Sequence, residues 1–195
     1  MWTRTSLVLV VLVIVALGEK GYLLPYCQLP LHHGVQKCTN TSSLRFYMDA
    51  DTETCLAFKY SGCGGNANNF ETWSECIRCF AADYSGCPVG SARIKNKDSG
   101  STTCGRHMDD EVCTGNNAYC KPGAFFGQCC DKTIRDKEES DWSLKEGCGA
   151  GLKKLDYPTG GGYDLTLLGK SCDSNFCPQK STCHQGNFFA YCCGL

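Results

Sequence analysis

Eighteen cysteines in 195 residues constrain this chain more than any other feature. They fall into three groups of six. The first is Cys27, Cys38, Cys55, Cys63, Cys76 and Cys79; the second Cys87, Cys104, Cys113, Cys120, Cys129 and Cys130; the third Cys148, Cys172, Cys177, Cys183, Cys192 and Cys193. An even six in each group suits self-contained disulfide modules, but six cysteines can pair in many ways, so spacing alone assigns no bond. Cysteine is about a tenth of the chain behind its leader, above the ~8–10% that signals a disulfide scaffold. This argues against a single large-core cytosolic enzyme and for a secreted protein whose cross-links supplement several small cores. The 19 Lys+Arg against 20 Asp+Glu leave a net charge of -1, which offers no electrostatic basis for binding nucleic acid or an anionic membrane.

Residues 1–18 read as a secretory signal peptide. Arg4 supplies the positive start, Leu7 to Leu17 is unbroken apolar sequence, and Ala16 and Gly18 are the small residues before a cut at Glu19. The apolar run falls short of the ~20 residues that cross a bilayer. The expected location is therefore extracellular, where all eighteen thiols can pair.

The second and third groups repeat one frame, C-x-x-G-x-F-F-x-x-C-C. Cys120-Lys-Pro-Gly-Ala-Phe-Phe-Gly-Gln-Cys-Cys130 aligns without gaps on Cys183-His-Gln-Gly-Asn-Phe-Phe-Ala-Tyr-Cys-Cys193, and each group opens on C-x-x-G at Cys87–Gly90 and Cys148–Gly151. An internal duplication accounts for both features. Gly123 and Gly186 are expected to turn the chain, with Phe125-Phe126 and Phe188-Phe189 in the following strands as local core. Residues 83–131 and 147–195 form the two repeats. Between them 132–146 reads as a charged linker with a short helix. Gly160-Gly161-Gly162 lacks the following Lys-Ser/Thr of a phosphate loop and reads as a flexible segment.

In residues 19–82, Leu44–Met48 and Cys55–Tyr60 are β-prone and flank the polar turn region 49–54, a hairpin signal. Glu71–Cys79 reads as a short helix with Cys76 and Cys79 on one face. Seven residues separate Cys55 from Cys63 and twelve separate Cys63 from Cys76; Phe58, Tyr60 and Gly62 lead into Cys63, and Asn68-Asn69-Phe70 follows. Together with Arg45 and Phe46-Tyr47, these residues make segment 27–79 resemble a Kunitz-type (pancreatic trypsin inhibitor) domain. The resemblance implies bridges Cys27–Cys79, Cys38–Cys63 and Cys55–Cys76, and a buried Phe70. It also implies a protease-binding loop of Lys37, Cys38, Thr39, Asn40 and Thr41 with a second contact at Ser61-Gly62. In such a domain the residue after the second cysteine, here Thr39, fills the protease's specificity pocket, and Asn40 lies across the scissile bond.

The chain departs from the family at this loop. Two extra residues separate Cys27 from Cys38, where His32-His33 lie, and one extra residue separates Cys38 from Arg45. Ser61 stands where glycine is usual, and Cys76–Cys79 is one residue short. Thr39 carries no cation for the acidic base of a trypsin-like pocket, so an elastase- or chymotrypsin-like enzyme is the expected partner. Asn40-Thr41-Ser42 is a glycosylation sequon, and a glycan on Asn40 would stand at the scissile bond.

Other chemistry finds less support. Cys76-Ile-Arg-Cys79 has no second pair at zinc-finger spacing, and Asp109-Asp110-Glu111 lacks a calcium-loop pattern. His32, His33, His107 and His184 sit beside no evident nucleophile. The vicinal pairs Cys129-Cys130 and Cys192-Cys193 are expected to bridge different partners. No metal, cofactor or catalytic residue is expected.

The sequence thus predicts a small disulfide-rich α+β protein: a Kunitz domain of β-hairpin plus C-terminal short helix, then two six-cysteine, hairpin-containing repeats. Those repeats resemble lustrin-like cysteine-rich repeats, and the architecture is similar to nematode Kunitz proteins of cuticle formation and moulting. The implied function is serine protease inhibition in matrix or cuticle remodelling. The alternative is a non-inhibitory structural protein binding matrix or cuticle proteins.

Overall fold

A computed structural model of the protein describes residues 22–80, 86–106, 110–149, 151–159 and 164–195. The leader 1–18, the boundary at 82–83, His107, Asp109 and Gly160-Gly161-Gly162 lie outside them. No helix among the described residues is long and apolar enough to cross a membrane.

Aromatic and β-prone side chains form β1 (Ser43–Asp49) and β2 (Thr54–Tyr60), paired antiparallel with Phe46 opposite Ala57 and Met48 opposite Cys55. The Asp49 carboxylate closes the turn by accepting the Thr52 N–H at 3.0 Å. A helix starting at Glu71 is not what forms: Thr72 is extended and accepts the Glu75 N–H, so α1 spans Trp73–Cys76 and tightens into a 3-10 turn over Ile77–Cys79. Asn68, 1% exposed, ties the hairpin to the N-terminal segment. Its Oδ1 accepts from Met48 N, and its Nδ2 donates toward the carbonyls of Cys27, Leu29 and Met48. Phe70 exchanges backbone hydrogen bonds with Phe46 but is half-buried rather than fully buried.

In the second block β3 (Thr103–Gly105), β4 (Ala118–Lys121) and β5 (Gly127–Asp131) form a sheet with β5 central. Asp131 then caps α2 (Lys132–Trp142) by accepting the N–H groups of Thr133 and Ile134. In the third block come β6 (Lys153–Lys154), β7 (Asp156–Pro158), β8 (Asp164–Thr166), β9 (Leu168–Gly169), β10 (Thr182–Gln185) and β11 (Ala190–Gly194). Strand β11 pairs with β10, β6 and β9. The two blocks share one disulfide order, first cysteine to sixth, second to fourth, third to fifth. The bonds are Cys87–Cys130, Cys104–Cys120 and Cys113–Cys129, then Cys148–Cys193, Cys172–Cys183 and Cys177–Cys192. Each vicinal pair therefore reaches two different partners.

Three expectations change. First, the phenylalanine pairs occupy the hairpin turns, because β5 and β11 begin only at Gly127 and Ala190. Second, the two turns differ in burial: Phe189 is 0% exposed, whereas Phe125 and Phe126 are 63% and 50% exposed. The charged linker explains the difference. It folds as α2, and the buried Asp141 accepts the N–H groups of Asn187, Phe188 and Phe189 at 2.8, 2.7 and 3.1 Å. Lys154, also buried, donates to the carbonyls of Ser140 and Asp141 at the helix C-terminus, where its charge suits the helix dipole. Burial holds this ammonium below the usual lysine pKa.

Third, the modules are not self-contained. Leu168, Phe189 and Tyr191 share a core with Tyr47, Leu56 and Phe58 of the hairpin, and Leu167, Phe176 and Ala190 share another with Phe46 and Ala57. The Phe46 and Tyr157 rings meet at 4.8 Å, and Lys170 pairs with Asp49 at 3.0 Å. A module of about sixty residues has a small core of its own, and the third block adds apolar surface to it.

Two outcomes follow from this packing. Phe189→Ala should cost about 3–5 kcal/mol in denaturant unfolding. Phe126→Ala, which loses only an exposed contact under Arg106, should cost less than about 1 kcal/mol. Burial alone would raise the Asp49 pKa, but hydrogen bonds from Thr52 and the Lys170 pairing hold it below the usual carboxylate range. Its stabilising contribution is thus present above about pH 4, the unfolded value, and fades as pH falls through the lowered folded value. The stability gap between the native chain and Lys170→Met, from urea midpoints, should shrink below about pH 4.

Candidate functional site

At the end of β2 the chain passes through Ser61, Gly62 and Cys63, and the leg 33–35 lies alongside. Ser61 N donates to the His33 carbonyl and Val35 N to the Cys63 carbonyl, both at 2.9 Å. These bonds place His32 and His33 within the anchored leg. His33 Nδ1 lies 3.0 Å from the Lys59 carbonyl oxygen, and His32 Nδ1 accepts the Gly34 N–H. The chain then bends at Gln36-Lys37, just before Cys38.

From Cys38 to Ser42 the chain has no helix or strand. Lys37, Thr39, Asn40 and Thr41 are exposed, while Cys38, Ser61 and Gly62 are half-buried. Two attachments hold the segment down. The Cys38–Cys63 disulfide sets their Cα atoms 5.6 Å apart, and Asn40 Nδ2 donates to the Gly62 carbonyl at 3.0 Å. The Thr39–Asn40 peptide bond therefore sits between a covalent anchor on one side and a hydrogen bond on the other. Gly62 has φ +100°, and a Cβ there would stand 2.8 Å from Asn40 Cβ and 3.1 Å from the Thr41 carbonyl oxygen. The close approach of the two loops therefore requires glycine at this position.

All seven candidate site residues thus lie on two adjoining loops, and Cys38, Asn40 and Gly62 are in direct contact or bonded across them. The remaining bonds of this module are Cys27–Cys79 and Cys55–Cys76. The structural role of the Asn40 amide is absent from the sequence reading, which treats Asn40 only as a scissile-bond and sequon residue. Asp173 and Asn175, which share a cleft of about 530 Å³ with Val35, Cys38, Asn40 and Ser42, are also absent from it. No local signal marks them, because the chain between them and Cys38 exceeds a hundred residues. The sulfurs of Cys104, Cys113 and Cys129 lie together, but all are in disulfides, so none is a thiolate ligand for a metal. Chemically, the arrangement presents an exposed, doubly tethered peptide bond to another protein.

Substitution at the close approach tests the tethering. Gly62→Ala should cost about 1–3 kcal/mol in denaturant unfolding and should speed amide exchange across residues 38–41.

Comparison with known proteins bears on both the domain and the tail. Residues 26–80 match the Kunitz/Bovine pancreatic trypsin inhibitor domain. The Major allergen Ani s 1 of Anisakis simplex is 36% identical over 173 residues, covering 86% of each chain. The BPTI/Kunitz inhibitor domain-containing protein C02F12.5 of Caenorhabditis elegans is 35% identical over 169 residues, 86% of this chain and 88% of that protein. The Kunitz-type serine protease inhibitor textilinin-4 of Pseudonaja textilis textilis is 49% identical over 57 residues, 29% of this chain and 65% of its own. No solved structure matches significantly.

Proposed function

We propose, from the premise that this chain belongs to the Kunitz/Bovine pancreatic trypsin inhibitor domain family, that it is a secreted serine protease inhibitor acting through residues 37–41. The observation that carries the reading is the exposed Thr39–Asn40 bond held between the Cys38–Cys63 bridge and the Asn40–Gly62 hydrogen bond. A related chain that aligns with the N-terminal domain is named a serine protease inhibitor.

The loop enters the protease cleft as a substrate does, with Thr39 in the specificity pocket. It is already ordered, so little conformational entropy is lost on association and more of the contact energy appears as affinity. If the enzyme attacks the Thr39 carbonyl, the tethers keep Asn40 in place and religation competes with hydrolysis. Thr39 is small and neutral, which suits the shallow pocket of an elastase-like enzyme or a neutral pocket of the chymotrypsin type, and it leaves the carboxylate of a trypsin-like pocket unpaired.

Asn40 Nδ2 is both the atom a glycan would occupy and the donor to Gly62, so glycosylation would place bulk at the scissile bond and alter its tether. We place the activity in extracellular matrix or cuticle remodelling during moulting, with matrix or cuticle proteins as partners of the two repeats. The nematode origin of two relatives that align over 86% of this chain supports this setting. The sequon and the extra residues on either side of Cys38 favour a second reading, in which the domain is a non-inhibitory structural module of that matrix.

Inhibition kinetics on the disulfide-intact chain separate the two readings. Glycan-free protein should inhibit elastase- or chymotrypsin-like enzymes in preference to trypsin, and Thr39→Pro should abolish inhibition. Thr39→Arg should tighten trypsin inhibition at least about a hundredfold, or ~2.7 kcal/mol. If the native loop inhibits none of these enzymes and Thr39→Arg gains nothing against trypsin, the structural reading replaces the inhibitory one.

A further inference from the structure

The turn Asp173–Asn175 of the third block stands beside the protease-binding loop in a fixed position. Two disulfides bracket it, Cys172–Cys183 before and Cys177–Cys192 after. Within it the side chains alternate: Ser174 and Phe176 are buried at 3% exposure, whereas Asp173 and Asn175 face solvent. Phe176 packs into the core shared with Phe46 and Ala57 of the hairpin, which bolts the turn to the strands that carry the loop. Asn175 caps the 3-10 turn in a left-handed conformation, φ 50°, and its Nδ2 donates to the Asp173 carbonyl at 2.9 Å.

Asp173 and Asn175 line one side of the cleft whose other side includes Val35, Cys38 and Asn40. A neighbouring hollow runs from Ser42 to Leu44 along Asn175–Pro178. Ser42–Leu44 follow the Thr39–Asn40 bond in the chain, so Asn175 flanks its leaving side, whereas Asp173 lines only the first cleft, beside residues from both sides of that bond. Asp173 is the one acidic residue in the lining of either hollow. No described residue forms a hydrogen bond or ion pair with its carboxylate.

We propose that Asp173 is a specificity determinant for the protease: it engages a lysine or arginine on the enzyme's rim beside the active site. The inference rests on the inhibitory reading of the loop and gives the third block a contact with the protease. An enzyme seated on Thr39 must either enter the cleft or meet its wall. A wall anchored by two disulfides and a buried phenylalanine loses little entropy on contact. A carboxylate at such a rim acts mainly on encounter rate and partner choice.

The test uses the full chain, glycan-free, with Asp173→Asn and Asp173→Lys, both solvent-exposed changes expected to leave the melting temperature unaltered. Association rates and inhibition constants are measured against the elastase- and chymotrypsin-like enzymes that the native chain inhibits, at low and high salt. The expected result is a graded loss, about fivefold to tenfold in association rate for Asp173→Lys at low salt, fading near 1 M salt where the screening length is ~3 Å. Values within twofold of the native chain, or tighter inhibition by Asp173→Lys, overturn this inference alone when the native chain inhibits and Thr39→Arg redirects it to trypsin. A chain that inhibits no enzyme, with Thr39→Arg also silent, removes the loop reading and this inference with it.

Discussion

Sulfur cross-links let so short a chain hold so many loops in place. Nine disulfides join all eighteen cysteines. Each one stabilises by about 2–4 kcal/mol, largely by removing freedom from the unfolded chain. Regular structure is sparse: most strands have five residues or fewer, and α2 is the only helix longer than one turn among the described residues. Without the bridges, the entropy of ordering the segments between strands would exceed what these small cores return.

The disulfides do not by themselves unite the blocks, because every bond closes within its own group of six. Apolar contact does that. Strands β9 and β11 of the third block lay Leu168, Phe189 and Tyr191 against Tyr47, Leu56 and Phe58. A cysteine-rich repeat that could have been a detached spacer is thereby part of the scaffold under the 38–42 loop. The same contact sets the Asp173 turn beside Cys38 and Asn40. Tail and inhibitor domain thus present one composite surface, and the relatives of similar length align across both.

The duplicated frame shows how far one motif can diverge by context. Both copies make the same hairpin with the same bond order, yet one buries its second phenylalanine and the other exposes it. The cause lies outside the motif. Asp141 at the end of α2 receives three consecutive N–H groups from the 187–189 stretch, which draws the turn inward and seats Phe189 on the Kunitz hairpin. Charge count alone reads residues 132–146 as a solvated linker, since six acidic and four basic residues over 131–146 look surface-bound. That Asp141 is 1% exposed depends on donors more than forty residues away.

Cysteine spacing and β-propensity sufficed for the grouping of the cysteines in sixes and the β1–β2 hairpin, and marked a helical turn before Cys79 but not its start, because these rest on local pattern. Tertiary structure alone decided the bond order within the repeats, the burial of Asp141 and Phe189, and the approach of Asp173 to the 38–42 loop. These features arise where segments distant in the chain compete for the same buried space. Such competition is settled by packing and hydrogen-bond satisfaction in three dimensions, which no window along the chain encodes.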